Sequence, residues 1–148
     1  MVLKNYSYDL LTWARTVWGE ARGESRLGQI AVAFVILNRA RYAQKWFTAQ
    51  HRAHPLFGNG SISAACQAPY QFSCWNADDP NRPKMHELSA ATLVPLFELV
   101  NNVLGLKVKD PTLGATHYHS VDITPIWVAK MKFLIQIGHH RFYTASKI

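Results

Sequence analysis

Two glutamates stand four residues apart in the run Trp18-Gly19-Glu20-Ala21-Arg22-Gly23-Glu24, in a chain with only nine acidic side chains. A carboxyl group can act as a general acid if its surroundings keep it protonated near neutral pH. On an unbroken helix, like charges at this spacing would face each other and repel. Gly23 lets the chain turn, so the two carboxyls can enter different surroundings. Glu20 follows the apolar Val17 and Trp18, and partial desolvation there would raise its pKa. Glu24 lies beyond the break beside Arg26, where pairing and ionisation are expected. The plainer alternative is a helix end whose two solvated acids balance Arg22 and Arg26.

Three further groups have chemical potential. The run Cys66-Gln67-Ala68-Pro69-Tyr70-Gln71-Phe72-Ser73-Cys74-Trp75 sets amides and a hydroxyl among three aromatic rings. Rings stack on the apolar faces of sugars while amides bind hydroxyl and acetamido groups. Equally, such rings can anchor a long loop to the core. His117 and His119 alternate, so a strand would point both to one face. With His139 or His140 they supply enough imidazoles for a three-histidine zinc site, although no HExxH pattern is present. Ser-His-Asp catalysis finds no G-x-S-x-G motif. Cys66 and Cys74 either close one small disulfide loop or remain as buried thiols.

These groups need elements to position them. Leu10, Leu11, Ala14, Val17 and Trp18 recur at helical spacing and predict a first helix over 8–21, with Ser7 as N-cap and Asp9 near the positive end of its dipole. Gly23 would stop it. A second helix is predicted over 26–41, apolar enough all round to be the buried centre of the domain. From Ala49 to Pro83 the composition turns to Gly, Pro, Ser, Asn and Asp, which predicts a long ordered loop with one short helix over 61–66. A third helix is predicted over 86–104, kinked at Pro95. The segment 115–120 reads as a short strand before a mixed C-terminal region.

Composition bounds the whole. A 148-residue chain with 49% hydrophobic and 17% charged residues suits one folded domain that buries roughly 70% of its unfolded surface. Its longest apolar run, Ile30 to Leu37, is too short to span a bilayer. No basic stretch followed by an apolar core marks the N-terminus as a secretion signal. The formal charge of +7 favours anionic partners: nucleic acid, lipid surfaces or bacterial cell wall. Nucleic acid is disfavoured because no dense Lys/Arg run or reader motif occurs.

The run Ala14 to Glu24, then Gly28-Gln29-Ile30-Ala31-Val32-Ala33 and Leu37-Asn38-Arg39, resembles the SleB-type cell wall hydrolases. That family holds the catalytic domains of spore cortex-lytic enzymes with bacterial and phage relatives. Gln71-Phe72-Ser73, Gly114-Ala115-Thr116-His117-Tyr118 and the ending Ile137-Gly138-His139-His140-Arg141-Phe142-Tyr143 agree in order, so the resemblance covers about residues 8–143.

The resemblance implies a mainly α (α+β) single domain over 1–148, lysozyme-like, with a small β element beside the cleft. It implies cleavage of peptidoglycan between N-acetylmuramic acid and N-acetylglucosamine, with Glu20 as catalytic acid/base and no metal or other cofactor. Glu24, Gln71, Phe72, Ser73, Tyr118 and His119 are the expected substrate-binding residues. Many spore enzymes carry a signal peptide and a separate wall-binding module. Without either, this chain looks more like a monomeric phage endolysin, made in the host cytoplasm, released through a membrane lesion and acting at the wall without stable membrane insertion. The alternative is a zinc-dependent N-acetylmuramoyl-L-alanine amidase, which would need His117, His119 and His139. A retaining or inverting hydrolase needs two carboxylates across the bond, whereas a lytic transglycosylase needs one. The scarcity of carboxylates favours the latter.

Overall fold

The computed structural model describes residues 6–69 and 71–145. Tyr70 of the aromatic loop therefore lies outside the described residues. The elements run α1 (Tyr6–Ala21), α2 (Arg26–Gln50), α3 (Ile62–Gln67), a 3-10 turn (Ser73–Trp75), α4 (Asn81–His86), α5 (Ala90–Leu104), β1 (His117–Ser120), a second 3-10 turn (Ile126–Lys130), β2 (Met131–Ile137) and β3 (His140–Ala145).

The predicted first helix forms, but Ser7 lies inside it rather than capping it. Asp9 is buried and accepts the backbone N–H of Ser63 at 2.8 Å. It therefore anchors the start of α3, a tertiary role that a dipole argument does not anticipate. Gly23 does not take a positive φ, so the turn after α1 needs no left-handed glycine.

Helix α2 is the centre of the domain, as its apolar composition predicts. Ser25 caps it by accepting the Gly28 N–H at 3.2 Å, and residues from Ala31 to Leu37 are almost wholly buried. It continues nine residues past the predicted end at Arg41. No Gly or Pro occurs between 42 and 50, and the helix stops only where His51 turns left-handed, at φ 57°. Loss of the apolar pattern there marks emergence into solvent, with Tyr42 and Phe47 exposed.

The predicted third helix is α5, which starts at Ala90 rather than at 86, and a short α4 that the sequence does not signal precedes it. Helix α4 ends at His86, and α5 begins after Ser89, whose hydroxyl accepts the Thr92 N–H. The Ser89 cap sets the start of α5 a few residues later than the predicted start at 86. Pro95 sits inside α5.

α1 packs between α2, α3 and α5 around Trp13, Val17, Ile36, Leu37, Leu99 and Val100. The Trp13 indole N–H donates to the Ala33 carbonyl at 3.2 Å, pinning α1 to α2. Gly19 lets α1 approach Cys74 and Met85 closely: an added Cβ would lie 2.9 Å from both Cβ and Sγ of Cys74 and 3.0 Å from Met85 Sδ.

The three strands form one antiparallel sheet in the order β1-β3-β2. Gly138, at φ 57°, opens the two-residue turn between β2 and β3, a position that suits glycine. One face of the sheet packs on α2 through Ala31, Val35, Ile137 and Phe142. Two polar residues of α2 place β1. Asn38 donates to the Ala115 carbonyl and to Asp110, each at 2.9 Å, while Arg39 Nε donates to the Thr116 carbonyl at 2.7 Å. Asp110 in turn accepts from the N–H groups of Thr112 and Gly114 and from the Thr112 hydroxyl.

Gly19→Ala should destabilise the domain. Overpacking against Cys74 costs about 1–3 kcal/mol, against a helix-propensity gain of about 0.5–1 kcal/mol. A chain of this size loses roughly 2–4 °C in Tm per kcal/mol. A thermal melt of the variant at or above wild type would refute the close approach.

Candidate active site

Glu20 is the penultimate residue of α1, where the helix meets the sheet and the aromatic loop. Tyr118 of β1 donates its hydroxyl hydrogen to Glu20 Oε1 at 2.6 Å. This short bond joins residues 98 positions apart in the chain. Cys74, on the 3-10 turn, hydrogen-bonds the same carboxyl through side chain and backbone. Burial raises the Glu20 pKa, and the bonds from Tyr118 and Cys74, with the positive charge of Arg39, only partly oppose it. The net direction is upward, as the apolar neighbours Val17 and Trp18 suggest.

The neighbouring groups are poor competitors for its proton. Burial pushes the Tyr118 phenol well above its ordinary pKa, with the Glu20 charge adding to the effect. Burial also drives up the Cys74 thiol. Cys66 is pushed up to about 12 by burial. Both cysteines are free, so of the two possibilities open in the sequence the structure shows buried thiols.

Arg39 belongs to this centre, although the sequence placed it only in the Leu37-Asn38-Arg39 motif. It is buried, its guanidinium 5.0 Å from the Phe57 ring and 4.8 Å from Phe72. It donates to Gln71 Oε1 at 3.3 Å as well as to Thr116. Burial lowers its pKa to about 10 while Tyr118 and Glu20 favour its charge, so it remains a cation near neutral pH. The signal available in sequence was an arginine within an otherwise apolar, buried helix.

The expected substrate residues separate into groups. Tyr118 touches Glu20, and Gln71 is tied to the centre through Arg39. Ser73 is exposed one residue before Cys74. Phe72 is buried, packed against Arg39 and 6.4 Å from the Tyr118 ring. His119 lies apart from this group. Strand alternation sends it to the face opposite Tyr118, where it is buried, with Nε2 2.9 Å from the Tyr143 hydroxyl and Nδ1 2.6 Å from the Ser120 carbonyl. Glu24 is held by His139 and not by Arg26. Its pKa is lowered: burial would raise it, but the His139 backbone and ring and the nearby His140 outweigh that.

The histidines do not converge as a zinc site would require. His117 and His119 do share a face, each packing on Trp127. Both ring nitrogens of His119 are engaged there, whereas His139 sits on Glu24. Among the described residues no three His, Cys, Asp or Glu side chains are grouped to hold a metal.

Glu20 should titrate above the usual carboxylate range by carboxyl-carbon NMR, and Tyr118→Phe should move that titration higher by removing a donor to the charged form. Its raised pKa also has a sign for stability. The protonated group supports the fold below the ordinary glutamate pKa, and that support is lost as pH rises through the raised value. Glu20→Gln should therefore melt above wild type near pH 7–8. A lower melt there would contradict the burial of this charge.

The chain has relatives of known kind. A family model described as Cell Wall Hydrolase matches residues 23–143. The match includes Glu24 and begins three residues after Glu20. A spore cortex-lytic enzyme of Halalkalibacterium halodurans is 30% identical over 135 residues, covering 90% of this chain and 34% of that protein. The chain thus spans about a third of the relative's length. The catalytic domain of the germination-specific lytic transglycosylase SleB from Bacillus anthracis superposes with a TM-score of 0.68 at 28% identity, covering 97% of this chain and all of that domain. The catalytic domain of the Bacillus cereus SleB protein gives 0.66 at 27% identity, covering 96% and 95% of the two chains. The fold is lysozyme-like, mostly helical with a small sheet, and the chain belongs to the cell wall hydrolase family.

Proposed function

We propose that the protein is a lytic transglycosylase that cuts the glycan strand of peptidoglycan between N-acetylmuramic acid and N-acetylglucosamine, using Glu20 as its one catalytic carboxyl. The observation that carries this reading is the Glu20–Tyr118–Cys74 arrangement: a carboxyl of raised pKa, held by groups that keep their own protons. The likeness to the SleB catalytic domains supports the substrate and reaction class.

In this mechanism protonated Glu20 gives its proton to the glycosidic oxygen as the bond to muramic C1 breaks, releasing the N-acetylglucosamine hydroxyl. Positive charge develops at C1. The muramic C6 hydroxyl then attacks C1, forming the 1,6-anhydro ring, and its proton returns to the Glu20 carboxylate. Atoms balance without water, and one carboxyl serves both steps as acid and then base. Tyr118 and Arg39 stabilise the transient carboxylate, which prevents burial from raising the pKa too far for the proton to be given up in the first step. Gln71, fixed by Arg39, and Ser73 supply hydrogen-bonding groups for the acetamido and hydroxyl substituents.

The biological form of this reading is a wall-lytic, endolysin-like protein acting at the bacterial cell wall as a monomer. The net charge of +7 supports attraction to an anionic wall. No helix among the described residues is long and apolar enough to cross a membrane. The amidase reading is less favoured because its histidine donors are dispersed.

Digestion of purified peptidoglycan, followed by mass spectrometry, tests the assignment. Wild type should release 1,6-anhydro-muropeptides with or without chelator, and Glu20→Gln should lower the rate by about 100-fold or more. Reducing muramic ends would instead indicate hydrolysis, and free stem peptides lost with chelator would indicate an amidase. Raising salt from about 0.05 to 0.5 M should weaken wall binding and slow turnover, because exposed charges are screened beyond a few ångströms. An unchanged rate would remove the electrostatic role of the basic surface.

A further inference from the structure

Glu24 is engaged at both carboxylate oxygens. Oε1 accepts the His139 backbone N–H at 2.9 Å, and Oε2 lies 2.9 Å from His139 Nδ1. Two glycines make room for it. A Cβ on Gly28 would stand 2.8 Å from Glu24 Cβ, and one on Gly138 would collide with Oε1. The side chain is thereby clamped between the first turn of α2 and the turn joining β2 to β3.

The next residue along β3 carries this clamp toward the centre. His140 is buried, with Nδ1 4.0 Å from Glu24 Oε1 and without a hydrogen-bond partner among the described residues. Its ring centroid lies 4.7 Å from that of Tyr118, and β1 pairs directly with β3 through Tyr118 and Phe142. Tyr118 then reaches Glu20. One continuous set of contacts joins the two glutamates of the Trp18–Glu24 run, through residues more than 90 positions away.

We propose that Glu24 is a positioning residue: by tying the β2–β3 turn to the start of α2, it holds His140 against Tyr118 and keeps the Tyr118 hydroxyl on Glu20. This rests on the reading of Glu20 as the catalytic carboxyl, and it assigns Glu24 neither to substrate nor to the bond-breaking step. The charged or titratable groups facing Glu24 are His139 and His140, with His119 beyond His140. Those facing Glu20 are Tyr118, Cys74 and Arg39.

The test is a double-mutant cycle on the full chain with Glu24→Ala, Glu24→Gln and Tyr118→Phe. Glu24→Ala should lower kcat about tenfold with KM little changed, an effect in the range of directly coupled neighbours. The Glu20 titration followed by NMR should move upward in Glu24→Ala, as it does in Tyr118→Phe, because the same donor is displaced. In the Tyr118→Phe background Glu24→Ala should add less than about twofold. Glu24→Gln retains an acceptor for the His139 N–H and should recover most of the activity. His140→Phe, which preserves a ring against Tyr118, should keep more activity than His140→Ala, and this pair carries the test if Glu24→Ala does not fold.

Independent, multiplicative effects of Glu24 and Tyr118, or a Glu24→Gln variant as inactive as Glu20→Gln, would overturn the proposal and give Glu24 a direct chemical role. Failure of the lytic transglycosylase reading would show separately. The wild-type products would lack the anhydro ring, while the coupling between Glu24 and the Glu20 titration would still be read.

Discussion

A carboxyl group at the end of a helix has been taken largely out of water, and its surroundings replace that water with a phenol, a thiol, a backbone N–H and a buried guanidinium. Most of the architecture beyond α1 serves this substitution. β1 brings Tyr118, the 3-10 turn brings Cys74, and α2 brings Arg39. An unpaired buried charge costs several kcal/mol. Fully matching it would return Glu20 to an ordinary acid. The balance struck leaves the pKa raised but keeps hydrogen bonds to the ionised form, as a group that must both give and retake a proton requires.

The balance depends on small geometric tolerances. Gly19 admits Cys74 to within reach of α1. Asn38 and Asp110 fold the 110–116 loop so that β1 starts at the right height, and Arg39 holds Thr116 and Gln71 at once. Phe57 and Phe72 cover the guanidinium on two sides. The polar residues of α2 thus orient the site while its apolar residues build the core. One helix performs both tasks because Asn38 and Arg39 follow its most deeply buried stretch.

The division of labour between the two neighbouring glutamates has the same origin. Helix α1 ends between them, so Glu20 remains on the helix facing the sheet's inner edge while Glu24 falls to the first turn before α2. Burial dominates at Glu20, whereas hydrogen bonds and neighbouring imidazoles dominate at Glu24, and their pKa values move in opposite directions. Two residues of one type, four apart, acquire different chemistry from environments supplied by distant parts of the chain.

Much of this was legible in the order of residues. Helical periodicity located α1 and the buried α2, the Gly/Pro/Ser composition marked the loop between α2 and α4, and alternation set Tyr118 apart from His117 and His119. Apolar neighbours pointed to a raised pKa at Glu20, because that effect is local. The short α4 was hidden, since its six residues include Pro83 and bury only Met85, too little to show a helical apolar pattern. The extension of α2 was hidden as well: its last turns are exposed and lose the pattern while remaining helical. Sequence alone could name Phe72 and His119 as sugar-binding types, but not that Phe72 packs on Arg39 or that His119 meets Tyr143. It could not connect Glu24 with His139, or Arg39 with Gln71, because those pairs are separated by long stretches of chain and meet only when the sheet and the 67–75 loop pack around α1 and α2. Local spacing determined which groups were available for chemistry; long-range packing decided which of them shared a dry, hydrogen-bonded centre.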